Sequence, residues 1–94
     1  MDWDLVRSVG SRPVPPKPQL LETCWRFQSK QGPRIVTCGL YRVLAPGIEV
    51  RVGYSDEDLL YSTLVADLPA GRERAAALKV TVSRTGGFDE LPLP

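Results

Sequence analysis

The sequence predicts an α+β fold, in which an antiparallel β-meander of three or four strands is followed by one C-terminal α-helix packed on one face. Residues 21–66 alternate between apolar and polar side chains, which is typical of strands with one buried face. After Asp67 the apolar residues recur at spacings of three and four, which is typical of an amphipathic helix. Four prolines within residues 12–18 predict an extended Pro-rich N-terminal arm. We therefore expect an arm over 1–20, a single small domain over 21–91 and a mobile tail over 92–94.

Length and composition limit the class of protein. The chain has 94 residues, enough for one domain, and its 12 basic and 11 acidic residues give a net charge of +1. It contains neither an apolar run of membrane-spanning length nor a recognisable secretory signal, so we expect a cytoplasmic protein without membrane contact. Nine arginines against three lysines favour a GC-rich, bacterial coding sequence.

The residues that are missing argue against catalysis. The chain has no histidine, which removes the commonest general base and the commonest zinc ligand. Two cysteines are too few for the four ligands of a structural zinc site. The acidic run Asp56–Asp58 lacks the ligand spacing of a calcium loop and is interpreted as a solvated turn. We expect no enzyme activity, no catalytic residue, no metal and no cofactor.

Three strands and the two turns between them are predicted from the alternation. Gly32-Pro33 and Ala45-Pro46-Gly47 are turn signals, and Gly47 is placed for the left-handed residue of a three-residue hairpin loop. The strands they separate are Thr23–Gln28, Ile35–Leu44 and Ile48–Tyr54.

The pairing of these strands is predicted by keeping apolar residues on one face. In the first hairpin this pairs Phe27 with Val36 and Trp25 with Cys38. In the second, a three-residue loop pairs Leu40 with Val52 and Cys38 with Tyr54. The same arithmetic places Tyr41 opposite Arg51, and Val43 opposite Glu49, on the outer face.

Cys24 and Cys38 are predicted to be free thiols that point apart. The predicted register places Cys24 opposite Gly39 on the outer face, whereas Cys38 faces inward as a small core residue. A structural disulfide is the other interpretation of two cysteines, but such bonds are rare in a reducing cytosol.

Residues 59–66 fit two structures. Ser55 and Asp58 resemble a capping box that opens a helix, whereas Tyr61, Thr63 and Val65 are strand formers. We favour a fourth antiparallel strand, because a hairpin return is the simplest connection after the third strand.

The C-terminal helix has a predicted start, buried stripe and end. Asp67 is a plausible N-cap ahead of Pro69, and Gly86-Gly87 ends the helix. We expect Phe88 and Leu91 to fold back as an anchor. One stripe of the helix faces the sheet: Gly71, Ala75, Leu78, Val82 and Thr85.

Two candidate binding regions follow from the sequence. The first is a face formed by Arg26, Arg34, Tyr41 and Arg51, where basic and aromatic side chains share an exposed sheet; the alternative interpretation is a solvated face with one Arg–Tyr cation–π pair. The second is the arm, a candidate partner-binding segment whose Arg-x-x-Pro-x-x-Pro pattern resembles ligands of aromatic grooves; the alternative is a semi-rigid tether. The arm candidates are Trp3, Arg12, Pro15 and Pro18.

Two classes of function are therefore expected. The first is a small non-catalytic protein-interaction module, for which self-association through the sheet or its edge is a sensible hypothesis because edge strands need protection. The second is a small nucleic-acid-binding domain that uses Arg26, Tyr41 and Arg51 on the exposed sheet face. The balanced net charge favours the first class.

Overall fold

The computed structural model describes residues 18–43 and 47–93, and it confirms the predicted α+β fold. Five strands form one antiparallel sheet in the spatial order β4-β3-β2-β1-β5, and helix α1 packs across one face. The elements in chain order are β1 (Gln19–Ser29), β2 (Ile35–Arg42), β3 (Ile48–Ser55), β4 (Asp58–Val65), α1 (Leu68–Arg84) and β5 (Phe88–Leu91).

The ambiguous segment after β3 is the predicted fourth strand, and the expected C-terminal anchor is a fifth. Residues Asp58–Val65 pair antiparallel with β3, which confirms the strand interpretation over the helical one. Phe88 and Leu91 do fold back, and they bound a short strand that pairs with β1. In the sequence, α1 therefore lies between β4 and β5, which form the two opposite edges of the sheet.

The core lies between the inward face of the sheet and α1. Trp25 and Phe27 pack edge to face, with ring centroids 5.4 Å apart. The Trp25 indole N–H donates a 2.8 Å hydrogen bond to the Ala75 carbonyl, which ties β1 to the helix. The buried apolar residues are Trp25, Phe27, Val36, Cys38, Leu40, Ile48, Val50, Val52 and Ala75.

The predicted register is correct at Trp25 and Phe27 in the first hairpin and wrong in the second. Phe27 pairs with Val36 and Trp25 with Cys38, as expected. In the second hairpin, however, Leu40 pairs with Val50 rather than Val52. Pairing ends at Arg42 with Ile48, so the connection is longer than the three residues assumed. A shift of two residues keeps every side chain on its face, and the alternation pattern therefore cannot detect it.

Residues 44–46, which comprise the predicted last residue of the second strand and the first two residues of the predicted turn, lie outside the described residues. Gly47, which follows them, has a φ of +101°, so the predicted left-handed conformation at this position is confirmed.

The prediction that the two cysteines point apart is wrong. Cys24 does not face Gly39, because Thr23 does, and the next pair in the ladder is Trp25 with Cys38. Cys24 is the extra residue of a β-bulge, in which two residues of one strand oppose a single residue of the other. The bulge places Cys24 on the inward face, where it packs against the buried core that includes Cys38, and each thiol affects the pKa of the other.

Helix α1 has the predicted boundaries. The Asp67 carboxylate accepts a 2.9 Å hydrogen bond from the Ala70 amide, so Asp67 is the N-cap, and the last helical residue is Arg84. Gly71 and Ala75 are buried against the sheet, with Leu78 and Val82 partly buried beyond them. No helix within residues 18–43 and 47–93 is long and apolar enough to cross a membrane.

Candidate functional site

Tyr41 lies near the end of the central strand β2, on the sheet face that α1 does not cover. A Cβ atom on Gly39 would lie 2.9 Å from Tyr41 Cε1 and 3.1 Å from Leu20 Cδ1. The absence of a side chain at Gly39 therefore allows the Tyr41 ring and Leu20 to lie close against the strand backbone. Burial, followed by the nearby Asp56 carboxylate, raises the pKa of Tyr41 above its ordinary value.

Arg51 meets Tyr41 diagonally across the strands. Gly39 is directly opposite Arg51, and Tyr41 is opposite Glu49, which corrects the predicted Tyr41–Arg51 and Val43–Glu49 pairings. The guanidinium carbon of Arg51 nevertheless lies 5.1 Å from the centroid of the Tyr41 ring, within the range of a cation–π interaction. Arg51 Nε also donates a hydrogen bond to the Glu49 carboxylate, and both side chains are mostly buried. This arginine is therefore already paired.

A shallow groove surrounds these residues. It consists of two hollows, about 210 and 370 Å³ in volume, which share Tyr41, Arg51 and Asp56 as lining residues. The larger hollow extends to Glu57 and to Pro18. Pro18, one of the four predicted arm candidates, therefore lies beside this groove.

Arg26 and Arg34 are not part of this groove. Arg26 shares the outer face, but its guanidinium donates a 2.7 Å hydrogen bond to the Pro92 carbonyl and so holds the chain after β5. Arg34 lies before β2, where its guanidinium stacks 3.6 Å from the Tyr54 ring centroid and pairs with Asp58. The structure thus brings Tyr41 and Arg51 together and places the other two predicted face residues elsewhere, each engaged within the chain.

Three of the four arm candidates, Trp3, Arg12 and Pro15, lie outside the described residues.

The two edges of the sheet differ in how they are protected. Strand β5 has four residues, two of which, Asp89 and Glu90, are acidic, and Pro92 follows it. Short length, charge and proline are the usual devices that prevent an edge strand from pairing with another chain.

Strand β4 has few of these devices. It has eight residues, its only charged residue is Asp58 at its start, and it contains no proline. Leu60 and Leu64 are 57% and 53% exposed. Sequence reasoning did not single out this edge, although its signal is visible as an uncharged run from Leu59 to Val65. Within the described part of the chain, β4 is the less protected edge.

Comparisons with known proteins provide no family. The chain matches no protein-family model, no curated protein and no solved structure. Across the described residues, no group of three or more histidine, cysteine, aspartate or glutamate side chains is arranged to hold a metal ion.

Proposed function

We propose that the chain is a non-catalytic protein-interaction module that forms a homodimer through the exposed edge of β4. The observation that carries this proposal is the difference between the two sheet edges. An unpaired edge strand presents a row of backbone donors and acceptors, which another extended strand satisfies. At β4 these groups are flanked by exposed leucines rather than by charges.

A second copy of the chain is the occupant that best complements this edge. Homodimers with two-fold symmetry require a surface that matches itself. Antiparallel pairing of two β4 strands about Ser62 places Leu60 of each copy opposite Leu64 of the other. The Asp58 carboxylates then lie at opposite ends of the new strand pair, so no like charges meet. The pairing adds cross-strand leucine contacts without a charge penalty.

Nucleic-acid binding receives less support from the contacts. Two of its three proposed residues, Arg26 and Arg51, already bind acceptors within the chain. A phosphate backbone is normally bound by cations that are free to release their counterions. A cytoplasmic location for the module stays a prediction from the sequence.

The oligomeric state tests the proposal. Light scattering over a range of concentrations should give a mass that rises toward twice the 10.4 kDa of the monomer. Leu64→Lys should weaken the dimer at least about tenfold, because it brings two lysines into an apolar strand pair. The matched control is Val80→Lys, since Val80 is 48% exposed on the outer side of α1, and this variant should dimerise normally.

Two outcomes would contradict homodimerisation through β4. One is a monomeric mass at every concentration; the other is equal weakening by Leu64→Lys and Val80→Lys. A gel shift with single-stranded nucleic acid, measured at several salt concentrations, tests the alternative class of function, which is nucleic-acid binding. A monomer that binds with a steep salt dependence would support nucleic-acid binding instead.

A further inference from the structure

The cysteine pair at the β1 bulge is a second feature that the interaction module does not use. Cys24 shares with Trp25 the position opposite Cys38. Facing residues on antiparallel strands have Cα atoms about 4.5–5.5 Å apart, which lies within the range that a disulfide spans. Cys24 packs against the buried core that contains Cys38, each thiol affects the pKa of the other, and no disulfide joins the two.

The two thiols differ in their access to solvent. Cys38 is fully buried in the core, whereas Cys24 is only partly buried. Above Cys24, Arg72 of α1 forms a two-pronged ion pair with Glu22 of β1. A reagent from solvent therefore reaches Cys24 first and Cys38 only through it.

The contact between the thiols also makes them chemically unequal. The hydrogen bond from Cys38 lowers the pKa of Cys24, and the Arg72 guanidinium adds a smaller effect in the same direction, whereas burial and the Glu22 carboxylate oppose it. The same hydrogen bond, together with burial, raises the pKa of Cys38. Because the thiolate is the nucleophile, Cys24 is the sulfur favoured to attack.

We propose that Cys24 and Cys38 form a thiol–disulfide exchange site whose substrate class is a small-molecule disulfide. The Cys24 thiolate attacks one sulfur of the disulfide RSSR, which forms a Cys24–SR mixed disulfide and releases RS⁻. Cys38 then attacks Cys24 Sγ and gives its proton to the leaving thiolate, which departs as RSH and leaves the Cys24–Cys38 disulfide. The chain loses two electrons and two protons, and RSSR becomes two RSH. The site lies on β1 and β2, which β3 separates from the β4 edge, and it does not depend on the proposed dimer.

Oxidised glutathione tests this site in the full-length protein. After incubation, unreacted thiols are alkylated and counted by mass spectrometry under denaturing conditions. We expect the wild-type chain to lose both alkylatable thiols and to contain one intrachain disulfide. Cys38→Ser should instead accumulate a stable glutathione mixed disulfide on Cys24. In Cys24→Ser, the buried Cys38 should react at least about tenfold more slowly than Cys24 does in the wild type.

A second variant of Cys38 separates its two proposed roles, which are to donate a hydrogen bond to Cys24 and to attack the mixed disulfide. Cys38→Ala also traps the mixed disulfide, but it removes the donor to Cys24, whereas the serine hydroxyl of Cys38→Ser retains one. The pH at which Cys24 becomes reactive should therefore be higher in Cys38→Ala than in Cys38→Ser. Far-UV circular dichroism of each variant establishes that the sheet and helix are intact before the rates are compared.

Three results would overturn the proposal. They are two alkylatable thiols remaining in the oxidant-treated wild type, a disulfide between chains rather than within one, and equal reaction rates for Cys24→Ser and the wild type.

Discussion

The close approach of α1 to the sheet at Gly71 allows us to predict how Gly71→Ala changes the free energy of unfolding. A Cβ atom at Gly71 would lie 3.2 Å from Leu40 Cδ2 and 3.3 Å from Leu40 Cδ1. A relaxed contact between two carbon atoms is about 3.5–4.0 Å. Gly71→Ala therefore requires Leu40, which is fully buried, or the helix to move by a few tenths of an ångström.

The magnitude follows from two opposing effects. Alanine is favoured over glycine within a helix by up to about 1 kcal/mol. Overpacking a core costs roughly 1–3 kcal/mol. We expect Gly71→Ala in the wild-type background to lower the free energy of unfolding by about 0–2 kcal/mol.

The effect of Gly71→Ala on the free energy of unfolding should change from destabilising to stabilising when Leu40 is truncated. Leu40→Ala alone should cost about 2–5 kcal/mol, because it creates a cavity at a fully buried position. It also removes both atoms that crowd Gly71, so adding Gly71→Ala to it should stabilise the protein by about 1 kcal/mol. The double-mutant cycle should therefore give a favourable coupling of about 1–3 kcal/mol.

Urea unfolding followed by far-UV circular dichroism measures all four proteins of the cycle. As a control, Gly71→Ala combined with Ile35→Ala should be additive, because Ile35 is partly exposed on the opposite face of the sheet. Additivity within about 0.5 kcal/mol for the Gly71–Leu40 pair would refute the close approach of the helix to the sheet.

Three further predictions concern single contacts, and urea unfolding tests each. The Arg72 guanidinium lowers the pKa of Glu22, so the carboxylate form contributes stability above its ordinary pKa and loses it as the pH falls through the folded value. Glu22→Gln should therefore be less stable than the wild type at pH 7, and the difference should shrink as the pH falls below the ordinary pKa of a glutamate; a constant difference would contradict the ion pair. Asp67→Ala should cost about 1 kcal/mol through loss of the helix cap, and an unchanged unfolding midpoint would contradict that role. Trp25→Phe removes the hydrogen bond to the Ala75 carbonyl and part of a buried ring, so it should cost about 2–3 kcal/mol; a loss below about 0.5 kcal/mol would show that this contact is not stabilising.

Local patterns were sufficient to predict most elements. Alternation identified the inward residues of β1 to β3, and the N-cap at Asp67 was identified from the residue types around the helix start. The register of the first hairpin was also predictable, since Trp25 and Phe27 must share a face with their partners. These features depend on neighbours close in sequence or on the alternation of the two faces.

The candidate sites were less predictable, because they depend on partners distant in the chain. Arg26 binds the Pro92 carbonyl, 66 positions away, and nothing near Arg26 indicates this partner. The groove depends on the diagonal between Tyr41 and Arg51, which follows from the two-residue register shift. The contact between the cysteines depends on the bulge at Cys24, which simple alternation does not include.

By itself, then, the order of residue types determined which side chains avoid water and where the helix begins. Which apolar side chains are buried follows from the periodicity of the sequence, which can be recognised without the tertiary structure. The tertiary structure alone decided which arginines are already paired, which edge of the sheet is left unprotected and that Cys24 shares the inward face with Cys38. These outcomes depend on the register, the bulges and the order of the strands in the sheet. Several such arrangements bury the same apolar surface.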